Sequence, residues 1–232
     1  MSKPNLSVKI GSMDMQNPVT VASGTFGYGP EYAELVDLNK LGAITVKGIA
    51  PDTHLGNPTP RTYETREGML NAIGLPGPGA QGFIDTYIPF LSNYSTPVIV
   101  NIWGKTIEEY GEVVEKLDDE DGIHAYEINL SCPNIKEGGS AFGTDVSIFS
   151  DVIKLVHDAA KTTSLPIIGM GGIFEAEDAI EFLIAGATAI AVGTANFIDP
   201  NTAIRVIDGI ENYLIENKLN DVKQLVGTVN YE

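Results

Sequence analysis

This chain has one cysteine in 232 residues. That excludes an internal disulfide, a CxxC zinc site and an iron–sulfur cluster held by this chain alone. Basic residues are also scarce: 14 Lys and Arg stand against 31 Asp and Glu, for a formal charge of -17. Nucleic acid and anionic membranes call for clustered cations, so neither is an expected partner. No apolar run approaches the roughly 20 residues of a membrane helix. The opening stretch, 1–11, is polar and lacks a signal-peptide core, which leaves the cytoplasm as the expected compartment. The three histidines are scattered, and no metal-ligand set is predicted.

Short apolar runs, most with glycine near their C-terminal ends, fill much of what remains. They are 18–24, 43–48, 97–104, 125–131, 166–172 and 189–194. Runs of β-branched residues without strict alternation read as buried parallel strands. Helix-period segments lie between them at 31–40, 106–116, 146–160, 175–185 and 202–216. The acids between Glu108 and Asp121 read as a solvated helix face and turn. Strand–helix alternation predicts an α/β fold with a parallel sheet. The stretch 48–81 breaks the alternation, is rich in Pro and Gly, and reads as an active-site lid or binding loop. A TIM-barrel-like (β/α) fold with its site at the C-terminal strand ends is expected, with an open doubly wound sheet as the alternative.

Polar residues close successive runs: Lys47, Asn101 and Asn129. In a barrel these point toward one mouth. The only cysteine, Cys132, follows Asn129 in a loop between Ser131 and Pro133, where a base or nucleophile could act. Two late turns, at Gly169–Gly172 and Gly193–Ala195, follow strands and precede helices. Their backbone N–H groups could cradle a phosphate.

These residues and their surroundings resemble the catalytic subunit of class 1B dihydroorotate dehydrogenase. The motifs that carry the resemblance are 56–61 (GNPTPR), 68–75 (GMLNAIGL), 129–134 (NLSCPN), 138–144 (GGSAFGT), 166–173 and 191–197. The resemblance implies a single FMN-binding domain over 1–232. Ser23, Lys47, Gly48, Asn101 and Asn129 would line the flavin ring and ribityl chain. Gly171, Gly172, Gly193 and Thr194 would hold the phosphate. Lys47, Asn71, Ala72, Ile73, Gly74, Leu75, Asn129 and Asn134 would grip orotate, and Cys132 would take the C5 proton of dihydroorotate. It also implies pyrimidine synthesis as the setting. FAD and an iron–sulfur cluster would sit on a partner subunit that passes electrons to NAD, around a homodimer within a heterotetramer.

The family barrel has eight strands, and six are readable here. The shortfall falls between Thr144 and Leu165, where about two βα units are missing. With them go a flavin-contacting lysine, a substrate-binding Asn-Thr pair and one phosphate loop. The expected consequences are weaker FMN binding and one continuous helix over 145–162, fused at Lys154 and Leu155. A catalytically impaired form acting as a binding or assembly scaffold is the alternative function. Another phosphate-binding barrel enzyme is a third, against which the 129–134 motif argues.

Overall fold

The computed structural model describes residues 3–66, 68–104, 107–118, 120–129 and 166–229. A short antiparallel hairpin, β1 (Val8–Ile10) and β2 (Met13–Met15), opens the chain. Six parallel strands follow: β3 (Val19–Val21), β4 (Ile44–Ile49), β7 (Val98–Ile102), β8 (Ala125–Ile128), β9 (Ile168–Met170) and β10 (Ala189–Val192). They form two three-stranded sheets, in the orders β9-β10-β3 and β4-β7-β8. Val19–Val21, Val98–Ile102 and Ala189–Val192 are buried at every position. That is the pattern of parallel strands covered on both faces, and it explains why these runs carry no polar alternation.

β3 and β4 bring the two sheets together. The Gly42 N–H donates to the Val19 carbonyl at 2.8 Å. The Thr20 hydroxyl lies 2.9 Å from the Ala43 carbonyl and 3.0 Å from the Thr45 hydroxyl. The six strands therefore lie in the sequence β9-β10-β3-β4-β7-β8. Among the described residues β8 pairs only with β7 and β9 only with β10. One apolar cluster spans both sheets and the helices outside them, with Val21, Ile44, Val100 and Ile190 from strands. From the helices come Phe83 of α2 (Gly79–Thr86), Val113 of α4 (Ile107–Leu117), Leu183 of α5 (Ala176–Ala185) and Val206 of α7 (Thr202–Glu216). Two short helices complete the set, α3 (Ile88–Leu91) and α6 (Ala195–Ile198).

The helix expected over 31–40 is not continuous. It is a four-residue α1 (Pro30–Ala33) followed by a 3-10 turn at Leu38–Lys40. The Asp37 carboxylate accepts from the Asn39 N–H and starts the second turn afresh, which buries Leu38 and leaves Leu35 exposed. The stretch 48–81 is also more ordered than a bare loop. It contains an antiparallel hairpin, β5 (Thr62–Thr65) with β6 (Gly68–Asn71). Asn57 clamps the chain after β6, its N–H donating to the Ile73 carbonyl at 3.0 Å and its Nδ2–H to the Ala72 carbonyl at 2.8 Å. The helix expected over 146–160, and the fused helix over 145–162, lie outside the described residues.

Gly42 tests the join between the sheets. A Cβ there would sit 2.1 Å from the Asn17 carbonyl oxygen and 2.8 Å from that of Val19. Both are backbone atoms and cannot swing aside. Gly42→Ala should cost about 2 kcal/mol or more, seen as a lower denaturant midpoint at unchanged m-value. An unchanged midpoint would mean that the β3–β4 contact is not tightly packed.

Candidate functional site

The C-terminal ends of the six strands share one side of the molecule, because all six run parallel. A cleft of about 540 Å³ opens there. Ser23 comes from just past β3, Lys47 and Gly48 from the end of β4, Asn101 from β7 and Asn129 from just past β8. The hairpin region closes over it with Asn71, Ile73 and Leu75. Ala72 and Gly74, expected beside these, do not line the cleft. The Ala72 backbone is tied to Arg61 and Asn57, and a Cβ on Gly74 would run into Asn57 at 2.7 Å. Alternate residues of this extended stretch therefore face the cleft.

A second hollow, about 390 Å³, adjoins the first and shares Ser23, Gly24, Thr25 and Thr194 with it. Its other walls include Gly171, Gly172 and Gly193. Gly171 and Gly172 have φ of 103° and 71°, values that L side chains rarely adopt. Among the described residues a Cβ on either would meet no atom within 4 Å, and one on Gly193 only Ala22 at 3.7 Å. The backbone of these turns therefore faces open space, as a close-approaching phosphate requires. Another cleft of about 540 Å³ lies at the opposite strand ends, beside Gln16, Asn17 and Lys40. Its amides are already used: Asn17 Nδ2–H donates to the Lys40 carbonyl and Gln16 Nε2–H to that of Leu41.

Burial is the main influence on Lys47 and pushes its pKa down. Arg61 nearby lowers it further, and Glu31 pulls the other way. Gly48 is glycine for want of room: a Cβ would sit 2.8 Å from Trp103 Cδ1 and 2.9 Å from Asn101 Oδ1. Asn101 is buried and uses both ends of its amide. Its Nδ2–H donates to Glu127 Oε1, and its Oδ1 accepts from Asn129 Nδ2–H at 3.5 Å. His54 and His124 serve packing and backbone. The His54 ring meets Trp103 edge-on at 5.2 Å, and His124 Nδ1 accepts from the Val98 N–H at 3.1 Å. Cys132 and Asn134 lie outside the described residues.

Sequence reasoning passed over Glu127, the cleft residues Thr25, Thr62, Met69 and Phe197, and the β5–β6 hairpin that carries two of them. Glu127 had a signal. It stands two residues before Asn129, and a strand's period of two puts both on one face.

The donor set suits FMN. A flat ring with alternating donors and acceptors matches asparagine amides, and a phosphate matches glycine turns with open N–H groups. Fold and site together define a (β/α) barrel-type protein with a cleft at its strand ends that adjoins a glycine-lined hollow. The sequence pattern of the dihydroorotate dehydrogenase family matches residues 5–163 and 150–214, and the chain belongs to that family of flavin-dependent oxidoreductases.

A curated relative from Desulforamulus reducens, named dihydroorotate dehydrogenase B (NAD(+)), catalytic subunit, is 41% identical over 299 positions. That alignment covers 97% of this chain and 98% of the relative. A protein of the same name from Geotalea uraniireducens is 39% identical over 303 positions, covering 99% of each. Both alignments are longer than this chain of 232 residues, so the relatives hold residues without counterparts here. The two pieces of the family match meet at 150–163. A dihydroorotate dehydrogenase from Eimeria tenella, solved with ferulenol, superposes with a TM-score of 0.72. It covers 97% of this chain and 88% of that one at 19% identity, which establishes the shared fold. Among the described residues no helix is long and apolar enough to cross a membrane.

Lys47 provides the test of the site's electrostatics. With its folded-state pKa lowered, the folded chain holds that proton more weakly than the unfolded chain does. The cost to stability is fully present below the lowered pKa and fades as pH rises toward the ordinary lysine value. Lys47→Met should therefore melt no lower than the parent at pH 7, while FMN affinity falls about tenfold or more. A lower melting temperature together with unchanged FMN affinity would remove Lys47 from the site.

Proposed function

We propose that this chain oxidises dihydroorotate to orotate with FMN as the electron acceptor. The observation that carries this reading is the convergence of Ser23, Lys47, Asn101 and Asn129 on one cleft whose wall continues into the glycine turns. Ser23, Lys47, Gly48, Asn101 and Asn129 would hold the ring, and Gly171, Gly172, Gly193 and Thr194 the phosphate. Bound FMN would supply the acceptor for the hydride that leaves C6 of the substrate.

The chain's own residues do the rest. Asn71, Ile73 and Leu75 offer a polar and apolar wall for a pyrimidine ring, with Lys47 and Asn129 at its edge and Asn134 assigned by resemblance. Cys132, three residues beyond Asn129, is the base by resemblance: its thiolate takes the C5 proton as the C5–H bond breaks. Lys47 is a partly desolvated cation beside the ring site and favours negative charge there. FAD and an iron–sulfur cluster would reside on a partner subunit that hands electrons to NAD, since one cysteine cannot ligate a cluster. A homodimer of this chain within a heterotetramer is the assembly proposed, and the cytoplasm the compartment.

The length of the relatives' alignments favours a second reading, an internally shortened and catalytically impaired form serving as a scaffold. One ring contact and one phosphate loop of the family pattern have no counterpart here. At roughly 1.5–3 kcal/mol per charged hydrogen bond, their loss costs several decades of FMN affinity.

Anaerobic mixing of the FMN-loaded chain with dihydroorotate separates the two. Bleaching of the flavin absorbance is expected if the chain is an enzyme, and a spectrum that stays oxidised would leave only the scaffold. Where bleaching occurs, Cys132→Ser should slow it far more than it weakens substrate binding, because a serine hydroxyl is a much poorer base at neutral pH. Equal bleaching rates in variant and parent would take Cys132 out of the chemistry.

A further inference from the structure

Asn101 lines the cleft, and its amide has two ends of nearly the same shape and opposite chemistry. One end donates two hydrogen bonds and the other accepts two. Which end faces a bound ring decides whether the contact is a hydrogen bond or a repulsion between like dipoles. Contacts on either side determine the orientation. Asn101 and Glu127 are register partners on the parallel strands β7 and β8. A carboxylate only accepts, so Glu127 can hold nothing but the Nδ2 end. The Oδ1 end is thereby turned toward Gly48, which also lines the cleft, and toward Asn129, whose Nδ2–H donates to it at 3.5 Å. Asn129 in turn keeps its Oδ1 end in a defined direction.

We infer that Glu127 is a positioning residue for this site: through its hydrogen bond to Asn101 it fixes the amide orientation of Asn101 and then of Asn129. The mouth thus presents one set pattern of donors and acceptors to a flat heteroaromatic ring. This inference rests on the flavin reading of the cleft. It assigns Glu127 no contact with ring or substrate. A rival role is sheet cohesion alone, as an ordinary cross-strand pair. Two features argue against that role. Glu127 is half-buried on the same strand face as Asn129, and the amide it holds is buried, where a reversed orientation would set the Asn101 NH2 group against the Asn129 donor.

The test uses the full chain with Glu127→Gln, which can accept from Asn101 but can also donate to it, and Glu127→Leu, which can do neither. Without flavin, the side-chain NH2 resonances of Asn101 in 15N-labelled protein should move less in Glu127→Gln than in Glu127→Leu, where they should also exchange faster. With FMN, Glu127→Leu should bind about tenfold more weakly by flavin fluorescence quenching, and Glu127→Gln should lie between it and the parent. In an Asn101→Ala background Glu127→Leu should cost nothing further, because its effect runs through Asn101. Parent-like Asn101 resonances in Glu127→Leu, or an equal loss of affinity with and without Asn101, would overturn the inference. Should Glu127→Leu fail to fold, Glu127→Ala takes its place under the same criteria. A parent chain that binds no FMN would sink the flavin reading instead, and the flavin-free resonances would still decide the role of Glu127.

Discussion

The contact between β3 and β4 governs the rest of the structure. Each three-stranded sheet carries half of the site. Lys47, Asn101 and Asn129 belong to β4, β7 and β8 or the residues just past them, while Ser23, Gly171 and Gly193 follow β3, β9 and β10. The distance between the cleft and the glycine-lined hollow is therefore set where the sheets meet, by the Gly42 N–H on the Val19 carbonyl and the buried Thr20 hydroxyl. In a closed barrel such spacing is also enforced from the other side. Here, among the described residues, β8 and β9 each have a partner on one side only, so this join carries the geometry.

Charge works on two scales. The chain as a whole is strongly acidic, which opposes an anionic ligand at long range. Fields from exposed carboxylates fade over roughly 8–10 Å at physiological salt. Within the cleft the nearest charges decide, and Lys47 with Arg61 close by supplies a positive local field. Burial disfavours the charge of Lys47 most, Arg61 adds to that, and Glu31 opposes it. A phosphate or carboxylate arriving at the cleft favours that charge again. The site thus holds an electrostatic cost in the ligand-free chain that an anion offsets on binding.

The parallel strands were legible because burial on both faces leaves an unbroken β-branched run, as in 18–24 and 189–194. The strand-end residues were legible because the direction of a parallel sheet gathers them at one mouth, and Lys47, Asn101 and Asn129 do meet there. The β5–β6 hairpin was not legible. Thr62–Thr65 is exposed at every position, so no alternation betrays a strand. The strand β1 lay in the stretch 1–11, read as polar, and β2 just beyond it was not read as a strand, although Val8, Met13 and Met15 turn inward. The break after α1 depends on one side chain, Asp37, capping a new turn inside an otherwise helix-like pattern. Glu127 sat in plain view on the parity of Asn129, inside the run 125–131, but was not singled out. Cys132 and Asn134 rest on the sequence motif alone.

The most direct measurement is a crystal structure of this chain with FMN. The account predicts the ring between Lys47, Asn101 and Asn129, and the phosphate on the turns at Gly171–Gly172 and Gly193–Thr194. The β3–β4 join should be unchanged between them. Flavin bound elsewhere, or a phosphate that reaches none of these turns, would contradict it.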